Sequence, residues 1–185
     1  MIVVLTGTGP PFRRLLEAMA AYARSHPDEP VWAQHGQASL PEGLSGAAFL
    51  PRVELLSRVG EASVVVTHAG SGSLLDCADT GHVPVVVPRL ERHSEIVNDH
   101  QLDLARELER EQRAILVEDV RDLEAAILKC RSLGRRKHEA PSARLLASVA
   151  RDASELVPRS RARWFWRISR PLTAWVPIQE APRER

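Results

Sequence analysis

The chain has 185 residues, 44% hydrophobic and 26% charged, with 25 basic side chains against 24 acidic ones. That composition suits one soluble domain of α/β size and argues against a disordered chain or a two-domain enzyme. A formal net charge of +1 leaves no overall field to draw nucleic acid, so any anion site has to be local.

In chain order, Ile2–Leu5, Val31–Gln34, Ala47–Leu50, Ser63–Thr67, Val83–Val87 and Arg113–Val117 read as strands. Three of them are nearly all Val, Ile or Leu. Strands without polar alternation are apolar on both faces, as in a parallel sheet with helices on both sides. Between them the spacing predicts helices over Pro11–Ser25, Val53–Gly60, Ser71–Thr80, Glu95–Arg110 and Val120–Ser132. The alternating order predicts an α/β fold, a Rossmann-like doubly wound parallel sheet over residues 1–132. Met1–Thr6 has neither the basic flank nor the cleavage site of a signal peptide. No stretch approaches the roughly 18 apolar residues of a membrane span. Cys77 and Cys130 are far apart and in no paired-thiol spacing, which fits a reducing cytosol better than a disulfide framework.

Beyond Ser132 the basic cluster Arg135, Arg136 and Lys137 precedes a helix candidate at Ser142–Leu156, so residues 133–157 read as a helical extension. Residues 158–185 form a tail that holds Trp164, Phe165, Trp166 and Trp175 among Arg159, Arg161, Arg163, Arg167 and Arg170. Arginine among tryptophan fits a membrane surface or a docking arm for a partner first, a solvated end next and nucleic acid last. Pro171 and Pro177 confine any helix there to Ser160–Ser169.

Ligands of open α/β sheets sit at the carboxyl ends of the strands, so the loops after strands carry the candidate chemistry. Thr6-Gly7-Thr8-Gly9-Pro10-Pro11 lets backbone amides approach an anion and then starts a helix, although a plain tight turn reads the same way. It has neither the GxGxxG spacing of dinucleotide folds nor the Lys of a P-loop, which disfavours hydride transfer and ATP hydrolysis. Thr67-His68-Ala69-Gly70-Ser71-Gly72-Ser73-Leu74-Leu75-Asp76 is richer. There a buried strand runs into a small-residue turn and a helix N-terminus with an imidazole and two hydroxyls nearby, which suits a pyrophosphate. Asp76, one turn on, is placed to accept from ribose hydroxyls. The plainer alternative is that Ser71 and Ser73 cap the helix and His68 is a satisfied rim histidine. A third cluster holds Arg89, Glu91, Arg92 and His93, then Asn98, Asp99, His100 and Gln101, donors and acceptors suited to sugar hydroxyls. His93 and His100 lack a third ligand and a metal-site spacing, so no metal is expected; His93 is a candidate general base.

The segments 67–76, Gly81-His82-Val83-Pro84-Val85-Val86-Val87-Pro88-Arg89 and Asp99-His100-Gln101-Leu102-Asp103-Leu104-Ala105 together resemble the C-terminal donor domain of family 28 glycosyltransferases. The likeness covers roughly residues 1 to 130. It is nearest to the single-domain subunits of two-component transferases, those of N-glycan UDP-GlcNAc transfer and of bacterial exopolysaccharide synthesis. Leu5-Thr6-Gly7-Thr8 and Pro11-Phe12-Arg13-Arg14-Leu15 are similar to their N-terminal pattern.

The resemblance implies one half of a GT-B fold that binds a UDP-sugar as substrate, with no cofactor and no metal. Gly7 and Thr8 would lie near the phosphates, and Leu50 would meet the uracil edge through its backbone. His68, Gly70, Ser71, Gly72 and Ser73 would surround the pyrophosphate, Asp76 would hold the ribose, and Asp99, His100 and Gln101 would face the transferred sugar. The catalytic candidates are His68 and His93. Asp76 stands where the family usually has Glu, and Leu104 where full-length relatives often have Asn. The implied activity is an inverting hexosyl transfer. It would depend on a membrane-anchored, acceptor-binding partner with a lipid-linked acceptor, in the cytoplasm or at the inner face of the membrane, with no nucleic acid involved. The rival from another class is a non-catalytic nucleotide-sugar-binding regulatory module.

Overall fold

A computed structural model describes residues 1–135, 145–147 and 150 of the chain. The strands are β1 (Ile2–Leu5), β2 (Val31–Gln34), β3 (Ser45–Ala47), β4 (Val64–Thr67), β5 (Val85–Val86) and β6 (Ile115–Leu116). The helices are α1 (Arg13–Ser25), α2 (Arg52–Glu61), α3 (Ser71–Asp79), α4 (His100–Arg110) and α5 (Leu123–Leu133). All the pairings are parallel, and the strands lie side by side in the order β3-β2-β1-β4-β5-β6. This is the doubly wound Rossmann order.

Successive residues of β1 serve opposite faces, as the two-residue strand period requires. Ile2 and Val4 join Leu15, Leu16 and Met19 of α1 and Ile127 of α5 in one core. Val3 and Leu5 join Val59 of α2 and Cys77 of α3 in another. Every residue of β1, β2 and β4 is buried, which explains why these strands show no polar alternation.

Strands β5 and β6 are each three residues shorter than the expected Val83–Val87 and Arg113–Val117, and two further elements differ in position. The third strand is Ser45–Ala47, not Ala47–Leu50. Its exposed small residues carry no apolar signal, while Leu50 turns its N–H to the Gln34 side chain at 3.1 Å and Pro51 opens α2. At Gly46 a Cβ would run into the Ala33 carbonyl oxygen, so the close approach of β3 to β2 needs a residue without one. The helix expected from Glu95 starts instead at His100. Glu95 is drawn back to accept from Leu90 N at 3.1 Å and to pair with Arg14, while Ser94 takes a left-handed conformation at φ 55°. The segment before α4 therefore forms a 3₁₀ turn at Glu91–His93 followed by a loop.

Residues 1–148 form one compact unit, in which Leu145 is buried. Most of the helix expected over Ser142–Leu156, and the whole basic aromatic segment 158–185, lie outside the described residues.

Leu16 is fully buried between helix and sheet. Leu16→Ala should lower the unfolding free energy by about 2–5 kcal/mol in urea titration, because the sheet limits collapse into the cavity.

Candidate functional site

The strand order turns over between β1 and β4: the chain winds outward from β1 through β2 to β3, and from β4 through β5 to β6. Sheets of this order have their ligand crevice at the carboxyl ends of those two central strands. The loop after β1 holds Gly7 and Thr8, and the loop after β4 holds His68 and Gly70. They meet around the His68 ring. Gly7 has φ +76°, a left-handed conformation that favours glycine, and a Cβ on either Gly7 or Gly70 would overlap the imidazole.

His68 extends the β1–β4 ladder by one bond, donating its N–H to Leu5 O at 3.2 Å. Its Nδ1 lies 3.3 Å from the same oxygen. A carbonyl only accepts, so the geometry assigns the ring proton to Nδ1 and leaves the lone pair on Nε2. Burial, and then the positive charge of Arg89, lower the His68 pKa from 6.5 to about 4, opposed by the bond to Leu5. At neutral pH the ring is therefore an uncharged acceptor at Nε2, and it donates there only after taking up a proton.

Beside the ring, α3 begins with Gly70 as its N-cap and no side-chain cap. The first amides of a helix have no carbonyl within it to bond, and they carry the positive end of its dipole. Gly72 is exposed with open space around it, Ser73 is half-buried and Ser71 is buried. The helix thus presents its N-terminus at the crevice between the glycine loops.

Asp76 lies one turn into α3 with a carboxylate only 7% exposed, paired with Arg52 of α2 at 2.6 Å. Burial raises its pKa, the Arg52 charge and hydrogen bond pull it back, and Asp79 adds a smaller upward push. Arg52 itself is half-exposed. Leu50, expected to meet the base edge through its backbone, has its N–H taken by the Gln34 side chain at 3.1 Å.

The third cluster divides. Gln101 is buried, and its Oε1 accepts the Arg89 N–H at 3.1 Å. Asp99 accepts from Glu91 N at 2.9 Å, and His100 contacts Asn98 through its ring and through its N–H at 3.2 Å. His93 is exposed on the 3₁₀ turn. Among the described residues no three His, Cys, Asp or Glu side chains gather as a metal site.

Arg52 was missed as a candidate, and Arg89 was read only as one of the polar groups suited to sugar hydroxyls. Arg89 carried a usable signal, being a cation placed directly after an apolar strand and its closing proline. Arg52 carried none, because its pairing with Asp76 depends on how α2 packs against α3.

Residues 2–157 match the family described as glycosyltransferase family 28 C-terminal domain. A curated relative, UDP-N-acetylglucosamine transferase subunit ALG13 of Yarrowia lipolytica, is 28% identical over 136 residues, 64% of this chain and 65% of its own length. Two solved structures share the fold. The glycotransferase of kitacinnamycin has TM-score 0.54 and 22% identity, over 70% of this chain and 34% of its own. MurG of Acinetobacter baumannii has TM-score 0.50 and 22% identity, over 72% of this chain and 42% of its own. The chain therefore spans less than two thirds of the length of each of these relatives.

The depressed His68 pKa gives stability a defined pH dependence. Between 6.5 and about 4 the unfolded chain binds the extra proton, so stability is undiminished above pH 6.5 and falls as pH drops toward 4. Urea unfolding across that range should show a shallower decline in His68→Gln, which has no proton to take up. In Gly70→Ala the displaced ring should titrate closer to 6.5, as followed by NMR.

Proposed function

Because the chain belongs to the glycosyltransferase family 28 C-terminal domain, we propose that it is the donor-binding half of a UDP-sugar-dependent transferase. The observation that carries this reading is the meeting of two glycine loops and the N-terminus of α3 at the β1/β4 crevice. The family's motif residues line that place, which has the chemistry of a diphosphate site.

In this reading the diphosphate lies against Gly7, Thr8 and Gly70–Ser73. The uracil approaches the Leu50 backbone, and the ribose hydroxyls take Asp76 once exposed Arg52 swings aside. Gln101, with Asp99 and His100 near it, faces the sugar. An acceptor hydroxyl attacks the anomeric carbon from the side opposite the diphosphate. The bond to the phosphate oxygen breaks, UDP leaves with the electron pair, and the configuration inverts. The dipole and amides at the start of α3 stabilise the charge growing on the leaving group. The hydroxyl proton passes to a base on the acceptor side, for which exposed His93 is this chain's candidate; His68, the other catalytic candidate, lies with the diphosphate between the glycine loops.

The acceptor side comes from a second, membrane-anchored polypeptide that presents a lipid-linked sugar for polysaccharide or glycan synthesis. That the curated relative is named a transferase subunit supports a divided enzyme. No helix among the described residues is long and apolar enough to cross a membrane, which is compatible with peripheral attachment at the cytoplasmic face.

Calorimetric titration should show UDP binding by the wild type and about tenfold weaker binding by Asp76→Ala, the loss expected for a hydrogen bond to a charged group. Equal affinities would remove Asp76 from the ribose site. Sugar transfer from a panel of UDP-sugars should appear only when the partner is co-purified; UDP binding without turnover in that pair would favour a regulatory module.

A further inference from the structure

We propose that Arg89 is the buried counter-charge for the donor's diphosphate, and that the two meet at the loop Thr6–Pro10. This rests on the donor-binding reading above and gives a role to a residue to which the resemblance assigns none.

Arg89 follows Pro88 after β5 and is 2% exposed. A guanidinium keeps its charge in proteins, and a buried charge is ordinarily paired with an opposite one. Here the pairing is incomplete. Nη2 donates to the Thr6 carbonyl at 2.9 Å, and Cζ lies 4.6 Å from the centroid of the Phe12 ring. Nη1 is buried and has no hydrogen-bond partner among the described residues. The acid closest in influence, Glu95, is committed elsewhere: its two oxygens take Arg14 Nε and Nη2, each at 2.9 Å, and it also accepts from Leu90 N. Two guanidinium groups thus share one carboxylate, and Arg89 is the one left without a salt bridge among the described residues.

The position of this surplus charge is specific. The Arg89 backbone is fixed at the β5 end of the site by Gln101, yet its head group lies at Thr6, the end of β1. To get there it passes the end of β4, where its field is felt at His68. Gly9 lies over the guanidinium, and a Cβ there would stand 3.9 Å from Nη2. Thr8, Gly9 and Pro10 are exposed on the outer side of that loop. An anion bound by the loop and by the start of α3 is then held in the field of a cation shielded from water, where electrostatic attraction is strong. A carboxylate on the donor sugar is the other anion to consider, but the sugar side of the site is where Gln101 holds the Arg89 backbone, away from the head group.

The test uses the full chain with Arg89→Met, thermal unfolding, and calorimetry with uridine, UDP, UDP-glucose and UDP-glucuronic acid. The expected result is UDP affinity lowered by about tenfold or more, uridine affinity unchanged, and a melting temperature equal to or above wild type, because an under-paired buried charge has been removed. UDP binding equal to wild type would overturn the proposal. So would a loss confined to UDP-glucuronic acid, which would move the counter-ion to the sugar. A lowered melting temperature with uridine and UDP weakened alike would mark Arg89 as a brace and overturn it too. Should Arg89→Met fail to fold, Arg89→Lys decides, since it keeps the charge and gives up the planar fork. UDP affinity within about threefold of wild type is then expected, and an equal loss for uridine and UDP overturns the proposal. Failure of the wild type to bind either uridine or UDP would refute the donor-binding reading itself, a result distinct from all of these.

Discussion

Parallel pairing of β1 with β4, Leu5 opposite Thr67, is the constraint on which the rest of the site depends. The Leu5 carbonyl at the end of that ladder is met by three donors: His68 N at 3.2 Å, His68 Nδ1 at 3.3 Å and Thr67 Oγ1 at 3.3 Å. One backbone oxygen thereby sets the position, the tautomer and the plane of the imidazole. The ring in turn stands against both Gly7 and Gly70, where a Cβ on either glycine would overlap it. A slip of one residue in the pairing would exchange the faces of β4 and dismantle all of this together.

Around that ring the charges at the carboxyl edge of the sheet are unevenly matched. Asp76 has Arg52 and Glu95 has Arg14, which leaves Arg89 with a carbonyl and an aromatic face. The surplus cation helps to keep His68 unprotonated, and an anion in the crevice would oppose both effects at once. The charge of Arg89 and the protonation of His68 are therefore coupled through short-range electrostatics. Neither requires the sheet to move. Arg52 is exposed and the Thr8–Pro10 segment lies at the surface, so the adjustments fall on groups that are cheap to shift.

The central sheet was legible because its strands announce themselves. Ile2–Leu5 and Val31–Gln34 are found with the bounds their composition suggests. Ser45–Ala47 was not legible, since an edge strand of small exposed residues shares its composition with a loop. The start of α4 was misplaced because Glu95 has good helical propensity, and its ion pair with Arg14, 81 residues away, overrides that preference.

The sequence by itself determined the parallel α/β architecture and the chemical inventory of the crevice. Runs apolar on both faces demand helices on both sides, and glycine next to histidine after a buried strand leaves few places for a polar ring to go. Only the tertiary structure decided which groups pair. It joined Leu50 to Gln34, Asp76 to Arg52 and Glu95 to Arg14, and it carried the Arg89 charge across the sheet to Thr6. The physical reason is that electrostatic and hydrogen-bond partners are chosen by distance in space, and residues far apart in the chain become neighbours only once the two central strands have paired.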